Sequence, residues 1–116
     1  MPKDRTNKVS CNNYRCEIEI TLELISGKWK ALLLWHLGNH KAIRFNEFRK
    51  IIPEITQKIL TQQLRSLEED GLIKRKVYNQ VPPMVEYSLS EYGKNLMPIL
   101  EEMDKWGKDY VAKHNS

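Results

Sequence analysis

One segment of this chain, residues 56–71, constrains the fold more than any other because it carries the signals for a complete amphipathic helix. Thr56 is a good helix N-cap, and Gly71 is a good residue to stop a helix. At 100° per residue, three leucines fall within about 60° of one another. They are Leu60, Leu64 and Leu67. The pattern predicts a helix that packs one apolar stripe against a core.

The other face of this helix is polar and positively charged. It carries Lys58, Thr61, Gln62 and Arg65, spaced i, i+3, i+4 and i+7, whereas acidic residues are confined to positions 68–70 at the C-terminal end. Gln and Arg side chains can read base edges, so this polarity favours a recognition helix in the DNA major groove. The alternative interpretation is an ordinary amphipathic helix on the protein surface.

The composition limits the class of protein. With 116 residues, of which 41% are hydrophobic and 29% charged, the chain is expected to form one globular domain. Its net charge of +4 favours an anionic partner. Apolar runs such as residues 31–35 are too short for a membrane span, no signal peptide is recognisable, and two cysteines do not make a disulfide scaffold. We therefore expect a cytoplasmic protein.

The first third of the chain predicts two helices after a polar arm. Residues 1–14 form the expected flexible N-terminal arm, which has little to bury. Residues 17–25 alternate like a strand, but their apolar side chains also fit helical spacing. Residues 28–37 are apolar nearly all round, which is typical of a buried helix and favours helix for the preceding segment too. Gly38 and Asn39 are expected to end this second helix.

The segment before the recognition helix completes a helix-turn-helix. Residues 43–45 could pair as an edge strand, and Asn46 is expected to cap a brief helix. In this helix Phe48 and Ile52 would face inward and Arg49 outward. Pro53 ends it, and a short turn leads into the recognition helix. Two short helices joined by such a turn make a helix-turn-helix unit.

A basic β-hairpin is predicted directly after the recognition helix. Residues 72–78 and 85–89 have strand patterns, and residues 79–83 form a loop stiffened by two prolines. Lys74 and Lys76 share one face of the first strand, and we assign that face to DNA phosphates. A helix-turn-helix followed by such a hairpin is a winged helix.

A long final helix is expected from its cap at Ser90 to about residue 113, with a kink at Pro98. Its apolar stripe is long and aromatic for so small a domain, so we expect a symmetric partner to cover part of it. The competing interpretation is that the same chain covers it. The stripe comprises Tyr92, Leu96, Ile99, Met103, Trp106 and Tyr110, joined by Leu100 and Val111.

The expected fold class is therefore mainly α with a small β-hairpin (α+β). Residues 15–113 should form a winged helix-turn-helix that dimerises through its terminal helices. The expected dimer interface consists of Ile18, Leu22, Leu96, Ile99, Leu100, Met103, Trp106 and Tyr110.

The assembled residues resemble the HxlR-type (MarR-like) winged helix-turn-helix transcription regulators of bacteria, from Cys16 to about Gly107. In the first half, the resemblance rests on Cys16, Thr21-Leu22, Leu24-Ile25, Gly27-Lys28-Trp29 and Arg44-Phe45-Asn46-Glu47. In the second half, it rests on residues 59–65, Leu67-Glu68, residues 70–73, Val77-Tyr78, Val81-Pro82-Pro83, residues 85–89, Gly93, Pro98 and Trp106-Gly107. One position departs from the family pattern, because Met84 follows the two wing prolines where the family usually has Arg or Lys.

The resemblance implies a homodimer that binds operator DNA and controls transcription, in some members in response to reactive electrophiles or oxidants. Cys16 occupies the place of the family's redox cysteine, and a helix N-terminus carries partial positive charge that favours thiolate. The alternative is that Cys16 is a small buried hydrophobe. Cys11 is the only other cysteine, so an intersubunit disulfide could form only between these positions. Modification by a low-molecular-weight thiol would serve equally.

We therefore expect a sequence-specific transcriptional regulator, a repressor by family likeness, bound to an inverted-repeat operator. The DNA contacts are predicted at Lys58, Thr61, Gln62, Arg65, Arg49, Lys74 and Lys76. A winged-helix module with protein contacts only, and a thiol-reactive enzyme, are the alternatives. No nucleophile–base pair or phosphate-binding glycine loop is recognisable, and we expect neither enzyme activity nor a cofactor. We also expect no metal site, because Gly38-Asn39 should break the helix that would align His36 with His40.

Overall fold

The computed structural model describes residues 16–115, so the expected arm at residues 1–14, with Cys11, lies outside the described residues. The helices are α1 (Glu17–Ile25), α2 (Lys30–His40), α3 (Phe45–Ile51), α4 (Gln57–Glu69) and α5 (Glu91–His114). The strands are β1 (Ala42–Arg44), β2 (Ile73–Tyr78) and β3 (Met84–Leu89). The described chain is mostly helical with one small sheet, which confirms the expected winged helix-turn-helix.

The three strands form one antiparallel sheet in the order β1-β3-β2. β2 and β3 make the predicted hairpin, with Arg75 opposite Tyr87 and Lys76 opposite Glu86. β1 pairs with the other edge of β3, which is the central strand, and Ile43 lies opposite Tyr87. The sheet therefore links the segment before the helix-turn-helix to the hairpin that follows it.

The core lies between α2, the helix-turn-helix and the sheet, and it is built from the apolar stripes of these elements. The three leucines of α4 are buried, as their spacing predicts. Phe48 of α3 is also buried and meets the Tyr87 ring edge-on at a centroid distance of 6.0 Å. The fully buried large side chains are Phe48, Leu33, Leu34, Leu37, Ile43, Ile55, Leu60, Leu64 and Leu67.

Both ends of α4 carry the signals that its sequence predicts. The Thr56 hydroxyl oxygen accepts a hydrogen bond from the Ile59 N–H at 3.1 Å, which satisfies one of the unpaired donors of the first turn. At the other end Gly71 has a φ of +78°, a conformation that favours glycine. The Gly71 N–H donates to the Glu68 carbonyl and the Leu72 N–H to the Leu67 carbonyl, each at 3.0 Å, which is the pattern of a Schellman cap.

Residues 17–25 form a helix, as the neighbouring buried segment favours, rather than a strand. The expected end of α2 is wrong, because the helix continues through Gly38 and Asn39 to His40. A side chain at Gly38 would meet the Met97 thioether of α5, so this glycine serves a close packing of two helices. The helix ends at His40, and the C-cap residue Lys41 has a φ of +65°.

The cap of α3 also differs from the expectation. Arg44 rather than Asn46 is the N-cap, and the Glu47 carboxylate accepts a hydrogen bond from the Arg44 N–H at 3.1 Å. This glutamate at the third helical position supplies the return bond of a capping box. The side chains divide as predicted, with Phe48 and Ile52 buried and Arg49 exposed.

The last helix is capped by Ser90, whose hydroxyl oxygen accepts from the Gly93 N–H at 3.2 Å. It runs without a break past Pro98 to His114. Leu100 corrects the expected dimer interface, because it is only 4% exposed and packs in the core of its own chain. Leu96 is half-buried and also packs against that core. Within residues 16–115, no helix is long and apolar enough to cross a membrane.

Candidate nucleic-acid interface

The polar face of α4 projects away from the core, because the buried leucines fix the rotation of the helix. Lys58, Gln62 and Arg65 are exposed, and Thr61 is half-buried between them. These are the four side chains that the sequence predicts for DNA contact, and the structure places them on one open face. Lysine and arginine can bind phosphates there, and glutamine and arginine can bind base edges.

The turn between α3 and α4 is held by a side chain that the sequence predicts only as a DNA contact. The Arg49 Nε donates a hydrogen bond to the Ile55 carbonyl at 3.0 Å. Since Ile55 is fully buried, this bond ties the exposed side of α3 to the residue just before the α4 cap. Arg49 therefore orients the helix-turn-helix, and its terminal amino groups can still face a phosphate.

The hairpin divides its basic side chains between two faces. Lys74 and Lys76 alternate with Arg75 along β2, so the two lysines lie on one face and the arginine on the other. The Lys76 ammonium lies 4.9 Å from the centre of the Tyr78 ring, and the Tyr78 hydroxyl donates to the Glu86 carboxylate at 3.0 Å. The predicted lysine face therefore also carries an acid.

The opposite face of the hairpin meets the recognition helix. A cleft of about 280 Å³ is lined by Thr61, Arg65, Glu68, Arg75 and Tyr87. Within it the Arg75 Nε lies 3.4 Å from a Glu68 carboxylate oxygen. The structure thus brings Thr61 and Arg65 together with Arg75, a residue absent from the predicted contacts, rather than with Lys74 or Lys76.

Tyr87 also lines this cleft and is 8% exposed. Burial raises the pKa of Tyr87 above its usual value, because a phenolate would lose its hydration. Arg75 and Arg65 oppose this shift in pKa, whereas Glu68 reinforces it, so all three charges act on this hydroxyl. The hydroxyl therefore stays protonated at neutral pH.

A second, larger groove of about 610 Å³ lies between the start of α3 and the hairpin. Arg75 and Tyr87 line it too, and Arg44 and Lys50 add two further cations that the sequence analysis does not select. Arg44 is the N-cap of α3 and Lys50 lies in its last turn, so the two positions give no periodic signal in the sequence. The sheet pairing brings them to the hairpin, so this part of the surface emerges only from the tertiary fold.

Cys16 is exposed and stands at the N-cap of α1, where the sequence analysis predicts it. Its backbone N–H donates to the Glu19 carboxylate at 2.9 Å. The alternative of a buried small hydrophobe is therefore wrong. Its thiol is open to solvent at the start of a nine-residue helix.

The terminal helices expose much of the apolar surface predicted for dimerisation. Ile18 and Leu22 of α1 are 67% and 53% exposed, and Trp106 of α5 is 69% exposed. The Trp106 ring stacks on Tyr110 at a centroid distance of 5.2 Å, and Tyr110 stacks on His114 at 4.1 Å. Ile99, Met103, Tyr110 and Val111 are also about half exposed. We call these exposed apolar side chains of α1 and α5 together the terminal-helix face.

The reason given for excluding a metal site is wrong, because one unbroken helix carries both His36 and His40. Their ring centroids are 5.9 Å apart, and His40 Nδ1 lies 2.7 Å from the His36 carbonyl oxygen. Burial, and secondarily the charge of His40, lowers the pKa of His36. Between residues 16 and 115, no three potential ligands come together to hold a metal ion.

Comparisons with known proteins agree with this geometry. A family model described as HxlR-like helix-turn-helix matches residues 24–115. The chain is similar to the HTH-type transcriptional regulator YdeP of Bacillus subtilis (strain 168), with 58% identity over 95 residues that cover 82% of this chain and 73% of YdeP.

Two solved structures are also similar to it. The HTH-type transcriptional regulator ytcD shares 54% identity with a TM-score of 0.77, over 84% of this chain and 98% of that one. The redox regulator HypR in its oxidized form shares 54% identity with a TM-score of 0.76, over 81% of this chain and 96% of that one. The chain therefore belongs to the HxlR-like helix-turn-helix family and is a transcriptional regulator of the helix-turn-helix type.

Proposed function

We propose that this regulator is a sequence-specific repressor that binds an inverted-repeat operator as a homodimer in the bacterial cytoplasm. One observation carries the proposal, namely the open polar face of α4, which is held outward by three buried leucines. Two such helices related by a two-fold axis enter successive major grooves, about one helical turn apart.

In this proposal the residues of α4 divide by chemistry. Arg65 and Gln62 read base edges, because their paired donors and acceptors match guanine and adenine. Lys58 and Thr61 bind phosphates near the start of the helix, and Arg49 does so from α3. Lys74 and Lys76 of the hairpin bind phosphates on the other side of the groove. Met84 adds no phosphate contact, because it stands where the family usually has Arg or Lys.

The terminal-helix face supports the homodimer. It comprises exposed apolar side chains of α1 and of α5, and a symmetric partner that covered both sets would remove them from water. The proposed interface consists of Ile18, Leu22, Leu96, Ile99, Met103, Trp106 and Tyr110. Leu100 is not part of this interface, because its side chain packs in the core of its own chain.

The relative named as the redox regulator HypR suggests the signal. We propose that Cys16 forms a disulfide and that this modification releases the operator. The disulfide forms either by exchange with a low-molecular-weight disulfide, one half of which leaves as a thiol, or with a partner cysteine while a diamide-type or quinone-type electrophile accepts the two electrons. A disulfide forms when a thiolate attacks an oxidised sulfur and displaces a thiolate from it. The exposure of Cys16 at the edge of the proposed interface makes this attack accessible.

The decisive experiment is selection of bound sequences from a random duplex pool, followed by binding measurements on the selected duplex. Arg65→Ala should weaken binding to that duplex by about 1–3 kcal/mol more than binding to random duplex, since it removes a base contact. Lys76→Ala should weaken both alike and reduce the salt dependence by about one phosphate contact. Failure to enrich any sequence, by freshly reduced protein in dilute buffer, would overturn the proposal.

The redox part of the proposal has its own test. Diamide should release the wild-type protein from the selected duplex, and Cys16→Ser should abolish that release while leaving the affinity of the reduced protein unchanged. Release of Cys16→Ser by diamide to the same extent as wild type would remove Cys16 as the sensor without affecting DNA recognition.

A further inference from the structure

The polar face of α4 ends in a negative charge that a DNA-binding surface would not be expected to retain. Thr61, Arg65 and Glu68 are spaced i, i+4 and i+7, and all three line the same cleft. A carboxylate on this face repels the phosphates that the cations of the helix would attract. Solubility alone therefore does not account for a carboxylate at position 68.

The Glu68 carboxylate is paired with Arg75 of the hairpin. The Arg75 Nε lies 3.4 Å from the Glu68 carboxylate, so a cation of the hairpin neutralises the acid of the helix. A guanidinium has five N–H donors in a rigid planar fork, and contact through Nε leaves the terminal amino groups for another acceptor. Arg75 lines both the small cleft and the larger groove toward Arg44 and Lys50, so it stands between the recognition helix and the hairpin.

Stability does not account for the pair. The Arg75 and Glu68 side chains are 45% and 39% exposed, and ion pairs of this exposure contribute little to the free energy of folding. Their common position beside Thr61 and Arg65 points instead to a role on the bound duplex.

We propose that Arg75 is a phosphate-binding residue of the hairpin and that Glu68 is a positioning residue that orients its guanidinium toward the DNA backbone beside α4. The inference rests on the proposed DNA binding and adds a contact to it. It also reassigns part of the hairpin's role from the Lys74 and Lys76 face to the opposite face.

The sign of one substitution distinguishes positioning from simple charge repulsion. If Glu68 acts only as a negative charge, Glu68→Gln strengthens DNA binding. If Glu68 positions Arg75, the same substitution weakens binding to the selected duplex, by about three- to tenfold. Glu54→Gln is the matched control, because Glu54 is an exposed acid in the turn just before α4. It should leave affinity unchanged or slightly higher.

Variants of Arg75 test the contact itself. Arg75→Ala should lower affinity about tenfold and reduce the slope of log K against log salt by about 0.9, the share of one phosphate. Arg75→Lys keeps the charge and should keep that slope while losing part of the affinity. The double variant Glu68→Gln/Arg75→Ala should bind no more weakly than Arg75→Ala alone, because Glu68 acts through Arg75.

Thermal unfolding of each variant separates binding from folding, and melting temperatures close to that of the wild type are expected. Unchanged or tighter binding by Glu68→Gln, or an unchanged salt slope for Arg75→Ala, would overturn the inference while wild-type binding keeps the proposed function intact. Wild-type protein that binds no duplex would overturn both.

Discussion

The exposed surfaces at the two ends of this molecule have opposite chemical character. At the helix-turn-helix end, polar side chains cover the surface, and hydrogen bonds fix the geometry at Thr56, Arg49 and Glu47. On the terminal-helix face, the exposed groups are apolar and aromatic, as at Trp106 and Ile18. The first end is complete without a partner, whereas the second leaves large apolar side chains in water.

This difference fits the partner proposed for each end. A surface of cations and amides keeps its hydration until it meets an anion, and it suits a ligand that dissociates readily in salt. A surface of stacked rings and aliphatic chains gains most when water is removed from it. The two proposed contacts should therefore respond differently to salt, and each should be weakened separately by substitution.

The largest effect is expected from removing core support beneath the polar end. Leu64→Ala should lower the free energy of unfolding by about 2–5 kcal/mol, since it opens a cavity under α4. Urea denaturation followed by circular dichroism measures this loss. Gln62→Ala, on the exposed face of the same helix, should change stability by less than about 0.5 kcal/mol. Equal losses in the two variants would contradict the assignment of the two faces.

A smaller effect is expected from truncating the aromatic stack of the terminal-helix face. Trp106→Ala should raise the dimer dissociation constant by about 30-fold, because a large central aromatic side chain typically contributes at least about 2 kcal/mol to an interface. Sedimentation equilibrium measures this change. Lys94→Ala, an exposed substitution earlier on α5, is the control and should leave the constant unchanged. A wild-type protein that is monomeric at all concentrations would contradict the proposed dimer interface.

The smallest effect concerns α2, which lies between the two ends. Burial lowers the pKa of His36 below its ordinary value of 6.5, so the unfolded chain binds a proton more readily than the folded one. Stability should therefore fall as the pH drops below about 6.5, where the unfolded state takes up that proton. His36→Gln should show a smaller loss of melting temperature than wild type between about pH 7.5 and pH 5.5. Identical losses would show that His36 does not contribute.

Local side-chain chemistry made much of the fold predictable. Thr56 and Ser90 were identifiable as caps because a hydroxyl before a helix satisfies nearby backbone N–H groups in almost any context. The stripe of Leu60, Leu64 and Leu67 fixed the outward face of α4 by periodicity alone. The open positions of the four predicted residues on that face followed from the same rule, and their contact with DNA stays a prediction.

What the sequence left undetermined depends on packing between distant segments. Gly38 looks like a helix stop, but its lack of a side chain serves a contact with Met97, almost sixty positions away. Strand alternation separates Arg75 from Lys74 and Lys76 without saying which face meets α4. Only the pairing of β2 with β3 and the approach of Glu68 bring Arg75 to the recognition helix.

The end of α4 and the start of α5 are joined by a hydrogen bond. The Ser90 hydroxyl, which caps α5, donates to the Gly71 carbonyl at 2.6 Å, just past the end of α4. The two helices thus share a pivot, and α5 extends 24 residues from it, or about 36 Å. A tilt of about 5° at this pivot would shift the far end of α5 by about 3 Å. In a pair of chains joined by that far end, small angular changes there would alter the distance between the two α4 helices, and therefore the operator spacing that both can reach.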